Sequence, residues 1–153
     1  MSFSIHFTNK PVPEGWDASF TEMAEIEISD FKESLAISTD YWQPKDYIQQ
    51  WKDELTKFVS GEQDKLILIV EMYDPKHANL IKVWVVHREK EGLFVNNNII
   101  FTSQIKGKFE INKIHDYISD RSTHNEDGLE ISVWKTTEAD VKNWLEQLKN
   151  AKD

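Results

Sequence analysis

Residues 44–70 read PKDYIQQWKDELTKFVSGEQDKLILIV and contain the strongest structural signals in the chain. Pro44 suits the first turn of a helix, where its missing N–H is not needed, and Gly61 suits the residue just beyond the end. Between them apolar residues recur at spacings of three and four, which predicts one broad buried stripe: Tyr47, Ile48, Trp51, Leu55, Phe58 and Val59. Residues 66–70 are an unbroken apolar run, typical of a central strand buried on both faces.

Three short strands are predicted upstream of this helix. Residues 3–7 alternate apolar and polar side chains, as a half-buried strand does. Residues 24–28 alternate in the same way with glutamates on the polar face, and residues 31–37 continue with the apolar phase reversed. Because a shift of one residue turns every side chain to the other face, we expect a turn or bulge at Ser29 and Asp30.

The pattern downstream predicts further strands and a second helix. Residues 80–87 and 93–101 are typical of a hairpin closed around residues 89–92, and residues 129–134 alternate as a last strand. Residues 102–126 are poorly patterned, so we expect a loop that contains a short helical piece. Thr137 suits the cap of a final helix, whose buried stripe is Val141, Trp144, Leu145 and Leu148.

Together these elements predict an α+β fold. Strands outnumber helices and several are joined by short turns, which favours a mainly antiparallel β-sheet with two principal helices packed on one face. A chain of 153 residues with 39% hydrophobic residues is the size of one domain with a sizeable core. We therefore expect a single domain over residues 1–153, in which residues 1–37 form an N-terminal acidic strand region and residues 38–153 carry the motifs.

Cysteine usage and the N-terminus bear on the compartment. The chain has no cysteine, which excludes a disulfide framework, a cysteine nucleophile and a thiolate zinc site. Residues 1–6 lack the charged and apolar regions of a signal peptide, and the longest apolar run, residues 66–70, is too short to span a bilayer. We expect a soluble cytoplasmic protein.

The acidic residues are concentrated in one segment. The chain carries 27 Asp and Glu against 18 Lys and Arg, a net charge of −9. Residues 14–54 alone hold 11 acidic and 3 basic residues, which gives this segment −8. A one-sided negative field attracts a cationic partner and repels nucleic acid and anionic membranes, although an acidic surface also serves solubility alone. Within this segment we predict partner-binding residues: Glu22, Glu25, Glu27, Asp30, Glu33, Asp40, Tyr41 and Trp42.

The aromatic residues of this segment have two interpretations. Trp16, Tyr41 and Trp42 lie in loop-like sequence beside carboxylates, as exposed interface anchors often do. A loop tryptophan that folds back over the core has the same sequence context. The helical aromatics, such as Tyr47 and Trp51, have core spacing, so we interpret them as packing residues.

Signatures of enzymes are missing from the sequence. There is no glycine-rich phosphate loop, nucleophile elbow or His-Glu-x-x-His helix, and the five histidines are scattered. Residues 125–128 lack the alternating oxygen ligands of a calcium loop. We predict no catalytic residue, no metal and no cofactor. A metal site built from His87, His115 and His124, and an unrecognised carboxylate pair, are alternatives that the spacing leaves open.

Three segments of the sequence carry a further pattern of residues. The first is residues 39–42 (TDYW), and it is followed on the first helix by Asp46, Tyr47, Gln50 and Trp51. The second is residues 72–79 (MYDPKHAN), which precede Trp84, Arg88 and Glu89. The third is residues 121–128 (RSTHNEDG), and it continues in residues 131–134. In this order they resemble the CdiI immunity proteins of bacterial contact-dependent growth inhibition systems. The resemblance covers roughly residues 38–145, and residues 1–37 match no motif of that family.

The resemblance implies an intracellular antidote. Such a protein binds the toxic C-terminal domain of a large secreted effector and covers its active site, and many of these toxins are nucleases with basic clefts. An acidic partner surface is the electrostatic complement of such a cleft. The motifs imply no catalysis: Asp74 and Pro75 fit a turn, and Arg121, Glu126 and Asp127 fit hydrogen bonds that order a loop.

The leading hypothesis is therefore a non-catalytic immunity protein in a tight 1:1 complex with a basic, nuclease-type toxin domain. The second is a small acidic adaptor or structural binding protein with no tight cationic partner. The third is a hydrolase with a carboxylate pair, which predicts a deep pocket holding two carboxylates of perturbed pKa.

Overall fold

The computed structural model describes residues 2–122, 126–128 and 133–151, and in these residues the strands form two antiparallel sheets. The first sheet has the order β1-β2-β3: Phe3–Phe7, Thr21–Ile28 and Phe31–Ser38. The second has the order β4-β5-β6-β7: Lys65–Glu71, Leu80–Glu89, Gly92–Phe101 and Trp134–Thr136. The helices are α1, Pro44–Val59, and α2, Glu138–Asn150. The predicted α+β class is confirmed, and the structure adds that the strands are divided between two sheets.

The turn predicted between β2 and β3 is confirmed. Ile28 pairs with Phe31, so only Ser29 and Asp30 connect the strands, and Ser29 has a φ of 54°. A two-residue turn keeps the apolar side chains of both strands on one face, which explains the reversed phase in the sequence. That face lies towards the core, where β1 and β2 bury Phe3, Ile26 and Ile28.

Helix α1 covers the open edge of the second sheet. Among the described residues β4 pairs only with β5, so its other edge would expose backbone groups. Gln50 meets this edge with its side-chain amide: Nε2 donates to Ile67 O at 2.8 Å, and Oε1 accepts from Ile69 N at 3.0 Å. A Glu54 carboxylate oxygen accepts from Ile67 N at 2.8 Å. The predicted central position of β4 is therefore wrong: β4 is an edge strand. Its residues 66–70 are apolar on both faces because α1 covers the edge that would otherwise be exposed.

Two aromatic residues of α1 extend the same contact. Trp51 Nε1 donates to Ile69 O at 2.8 Å. The Tyr47 hydroxyl accepts from Met72 N at 3.0 Å and donates to Ser38 O at 2.6 Å, so it joins both sheets to the helix. Burial raises the pKa of Tyr47 to about 12, which keeps this hydroxyl protonated. We refer to Tyr47, Gln50, Trp51 and Glu54 with the β4 backbone as the α1–β4 seam.

The poorly patterned segment after β6 covers one side of the second sheet. It contains two short 3-10 helices, Thr102–Gln104 and Ile111–Tyr117, and buries apolar side chains at Phe109, Ile114 and Ile118. The predicted loop with a short helical piece is confirmed in outline. Its packing was not evident in the sequence, because isolated apolar residues in 3-10 turns give no regular period.

Helix α2 closes the core. Thr137 caps it as predicted, its hydroxyl accepting from Asp140 N at 3.1 Å. The Trp144 ring lies 5.5 Å from that of Phe3 and 5.9 Å from that of Trp51. The last strand is described only from Trp134, and residues 129–132 of the predicted strand lie outside the described residues. No helix in the described ranges is long and apolar enough to cross a membrane.

Candidate functional site

The acidic residues of β2 and β3 lie on both faces of the first sheet. Glu25 and Glu27 share the outer face, because each alternates with core-facing residues of β2. Each has a basic neighbour: Glu25 Oε1 lies 3.8 Å from His6 Nε2, and Glu27 Oε1 lies 3.6 Å from Lys32 Nζ. Lys32 therefore compensates the charge of Glu27, whereas His6 compensates that of Glu25 only when its ring is protonated.

Two other predicted glutamates project from the opposite face. Glu33 is the register partner of the buried Ile26, and Glu22 is that of the buried Ile37. Side chains of register partners lie on the same side of a sheet. Asp30 is exposed at the turn. The strand pair thus does not present its carboxylates on one continuous surface, and partner contact by these residues stays a prediction.

The loop between β3 and α1 holds the other predicted partner-binding residues. Asp40 and Tyr41 are exposed, and Tyr41 keeps 46% of its surface accessible. Trp42 is half-buried, and its ring meets that of Tyr47 edge-on at 5.2 Å. Of the two interpretations of the loop aromatics, Trp42 follows the packing one and Tyr41 the exposed one.

A groove separates β3 from the second sheet. It has a volume of about 530 Å³, and its walls include Trp16, Glu33, Leu35, Trp84, Asn97 and Ile99. Trp16 from the first loop is 56% exposed, and Ile99 near the end of β6 is 40% exposed. Large apolar side chains exposed around a concave surface are typical of a binding site for another protein.

A second groove adjoins the first. It has a volume of about 690 Å³ and is lined by Asp40, Tyr41, Tyr73, Asp74, His77 and Leu80, among others. Both grooves share Glu71 and Lys82, whose carboxylate and ammonium lie 3.3 Å apart. We call the two grooves together the inter-sheet cleft.

Glu71 is held in place at the junction of the two grooves. The Tyr73 hydroxyl donates to Glu71 Oε1 at 2.5 Å, while Glu71 Oε2 faces Lys82. Partial burial and the adjacent Glu71 carboxylate raise the pKa of Tyr73 well above its usual value, so the hydroxyl stays a donor. The cleft therefore presents an oriented carboxylate and not a mobile one.

The cleft carries more acid than base. Its carboxylates are Glu33, Asp40, Glu71 and Asp74, and its lysine, Lys82, is already engaged with Glu71. Within the described ranges, Glu33 and Asp40 form no ion pair. The outer-face glutamates of β2, in contrast, each have a basic neighbour.

Sequence reasoning missed three cleft residues: Glu71, Lys82 and Ile99. Glu71 is the last residue of β4 and Lys82 lies near the start of β5, and the apolar runs of both strands indicate packing only. A signal for Ile99 was present, because three consecutive asparagines (residues 96–98) interrupt the apolar pattern of β6 just before it. Asparagine is rare in covered strands, so this run marks the place where the sheet loses its cover.

Two histidines of the alternative metal site, His87 and His115, make contacts with other side chains of the fold. His87 Nε2 lies 2.9 Å from Asn96 Oδ1, and His115 Nε2 lies 3.1 Å from both Glu54 carboxylate oxygens. His124, the third member of the alternative metal site, lies outside the described residues. Across the part of the chain that is described, no group of three or more His, Cys, Asp or Glu could hold a metal ion.

The carboxylates of shifted pKa do not form the pair that the hydrolase alternative predicts. A neighbouring cation lowers the pKa in each case: Arg121 acts on Glu89, Lys113 on Glu110 and Lys65 on Asp120. A general acid needs a raised pKa. These shifts are the signature of ion pairs.

The sequence motifs lie mainly on the scaffold. Asp74 forms the predicted turn, its Oδ1 accepting from Lys76 N at 3.0 Å and its carbonyl from His77 N at 2.9 Å. Arg121 makes the predicted ordering contact, a bidentate ion pair in which Nε donates to Glu89 Oε2 at 2.9 Å and Nη2 donates to Glu89 Oε1 at 2.8 Å. Residues 123–125 and 131–132 of the third motif lie outside the described residues.

The chain is similar to known proteins in both sequence and structure. Residues 37–144 match the family described as the CdiI N-terminal domain. The chain is 33% identical over 142 residues to the immunity protein CdiI of Enterobacter cloacae subsp. cloacae, across 93% of this chain and 97% of that protein. It also superposes with a TM-score of 0.84 and 34% identity on a chain of the CdiA-CT/CdiI toxin and immunity complex from Enterobacter cloacae. That match covers 97% of this chain and 99% of the other.

Proposed function

Because this chain belongs to the CdiI family of immunity proteins, we propose that it binds and neutralises a cognate C-terminal toxin domain in the cytoplasm of the cell that makes it. The observation that carries the proposal is the match over almost the whole of both chains to a protein of a toxin and immunity complex. Similarity over the full length of both chains supports binding to a partner of the same kind.

The charge of the chain supports a basic nuclease as that toxin. A nuclease binds the phosphate backbone with lysine and arginine, so its active-site surface is cationic. The net charge of −9 attracts such a surface at long range and raises the association rate. The same attraction orients the chain towards the active site of the toxin, which would otherwise receive nucleic acid.

Inhibition would follow from occupancy. A chain bound over the basic cleft excludes the substrate sterically and by its own negative charge, and it needs no chemistry of its own. A protein interface of ordinary size buries about 800 Å² on each partner, which is enough to cover a nuclease active site. One antidote per toxin, in a 1:1 complex, is the simplest arrangement that achieves this.

The test is protection and complex formation with the toxin domain encoded immediately upstream of this chain in its own genome. Co-expression should restore growth to cells that make the toxin domain, and the purified pair should bind with a Kd of about 1 nM or below, or about −12 kcal/mol. Light scattering of the complex would give its stoichiometry, and substrate cleavage by the toxin would give its chemistry.

Two controls separate the proposal from the acidic adaptor alternative. A toxin domain from an unrelated system should neither bind nor be neutralised, since general acidity would attract any basic protein equally. Association should slow as salt rises, because screening weakens long-range attraction. Absence of both binding and protection would contradict the proposal.

A further inference from the structure

We propose that the inter-sheet cleft, and not the outer face of the first sheet, receives the toxin domain, and that it binds a segment with an apolar side chain flanked by lysine or arginine. The inference rests on the proposed function, since it names the surface that the partner contacts. The two candidate surfaces carry different carboxylates, Glu33 and Asp40 in the cleft and Glu25 and Glu27 on the outer face, so mutations can separate them.

The first argument is the placement of exposed apolar surface. Trp16, Tyr41 and Ile99 are 56%, 46% and 40% exposed, and each lines one of the two grooves. Trp16 belongs to the loop between β1 and β2 and Tyr41 to the loop after β3, while Ile99 comes from the second sheet. Three separate segments thus bring large apolar groups to the two adjoining grooves, where they can contact apolar side chains of a partner and exclude water.

The second argument is the state of the carboxylates. Glu33 on the cleft wall and Asp40 on its rim have no ion-pair partner in the described ranges, so they are free to meet a cation from outside. Glu25 and Glu27 on the outer face are already next to His6 and Lys32. A cation that binds Glu27 would have to displace Lys32, while one that binds Glu33 or Asp40 would displace no neighbour in the described ranges.

The third argument is preorganisation. Tyr73 and Lys82 fix the Glu71 carboxylate at the junction of the grooves. Such a group can accept a hydrogen bond without first losing conformational freedom, which lowers the cost of binding. A guanidinium or ammonium beside the Tyr41 ring would gain a further attraction from the ring face. Apolar walls, unpaired carboxylates and one oriented carboxylate together match a basic segment with an apolar side chain.

The experiment compares two charge reversals of equal size. Glu33→Lys with Asp40→Lys changes the cleft, and Glu25→Lys with Glu27→Lys changes the outer face; the net charge rises equally in both double variants. Two single variants, Trp16→Ser and Ile99→Ser, remove apolar surface without any change of charge. The purified toxin domain encoded upstream is the probe, the dissociation rate and growth protection are the readouts, and circular dichroism confirms that each variant is folded.

We expect Trp16→Ser and Ile99→Ser each to weaken the complex about tenfold or more, as for interface anchors. The cleft reversal should weaken it at least as much and reduce protection. The outer-face reversal should slow association only through the net charge and leave the dissociation rate within about twofold of the wild type.

The outcomes distinguish this inference from the proposed function. If the wild-type chain protects cells and the cleft variants dissociate as slowly as it does, the inference is wrong and the function stands. Equal losses in the two double variants would also overturn it. If the wild-type chain neither binds nor protects, the proposed function fails and this inference with it.

Discussion

The α1–β4 seam and the inter-sheet cleft both border β4, but their side chains have opposite surroundings. In the seam, Gln50, Trp51 and Glu54 are buried and hydrogen-bonded to the backbone of residues 67 and 69. In the cleft, Trp16 and Ile99 are exposed and Glu33 has no ion pair in the described ranges. The seam completes the fold, and the cleft is the surface that we propose for partner binding.

The comparison separates residues that the fold needs from residues whose replacement the fold tolerates. Removal of a buried hydrogen-bonded group leaves its partner unsatisfied and costs stability. Replacement of an exposed side chain costs almost none, so such a position is free to follow a particular toxin. The recognisable motif residues Tyr47, Gln50 and Trp51 belong to the seam, which is why they identify the family without identifying the interface.

The largest stability effect should come from Gln50→Met in the seam. Methionine has a similar shape but leaves Ile67 O and Ile69 N without their side-chain partners inside the protein. We expect a loss of about 2–4 kcal/mol in the free energy of unfolding, measured with urea. The matched control is Gln49→Met on the exposed side of α1, which should change stability by less than about 0.5 kcal/mol. Equal effects of the two substitutions would contradict the role of the seam.

A smaller loss is expected for Arg88→Lys in β5, whose side chain contacts the end of α1. The Arg88 guanidinium donates to Phe58 O at 2.8 Å and to Glu138 Oε1 at 2.7 Å, and it lies 3.9 Å from the centre of the Phe58 ring. Lysine keeps the charge but cannot make these contacts together. We expect about 1–2 kcal/mol less stability by urea unfolding, whereas Lys90→Met in the exposed turn should have almost no effect. No difference between the two would mean that charge alone matters at this position.

The folded state should lose stability in mild acid through His87. Burial lowers the pKa of His87 below its usual value, although the bond to Asn96 opposes this; Lys65 and Arg121 also lower the pKa, and Glu89 raises it. The unfolded chain therefore binds this proton more readily, and stability should fall as pH drops through the unfolded value of about 6.5. Urea unfolding between pH 5 and 7.5 should show this slope in the wild type and a flatter one in His87→Gln. A slope that survives the substitution would assign it to other groups.

The smallest stability effect is expected for the cleft. Trp16→Ser and Ile99→Ser should each stay within about 0.5 kcal/mol of the wild type in urea unfolding, because exposed side chains bury little area on folding. The same variants are expected to weaken the complex with the toxin domain. A marked loss of stability would show that these side chains serve the fold, and the contrast with the seam would then be lost.

The principal elements were predictable because their signals are local. The stripe in residues 44–59 has helical spacing, and the reversed phase around Ser29 and Asp30 predicts a hairpin turn. The cover over the second sheet was not predictable, since residues 102–121 pack through isolated apolar side chains. The edge position of β4 was not predicted either, because α1 covers its open edge. An edge strand that is covered in this way can have the same apolar sequence as a central strand.

By itself the sequence determined the elements, the family and the excess of acid, because periodicity, motif order and charge can be read without knowing which segments meet. Only the tertiary structure decided which acids share a surface. The register of β2 and β3 places Glu25 and Glu27 on one face and Glu33 on the other. The packing of β3 beside the second sheet then brings Trp16, Glu33 and Ile99 to one cleft. These residues lie far apart along the chain, so their proximity follows from the folded arrangement and not from any local pattern.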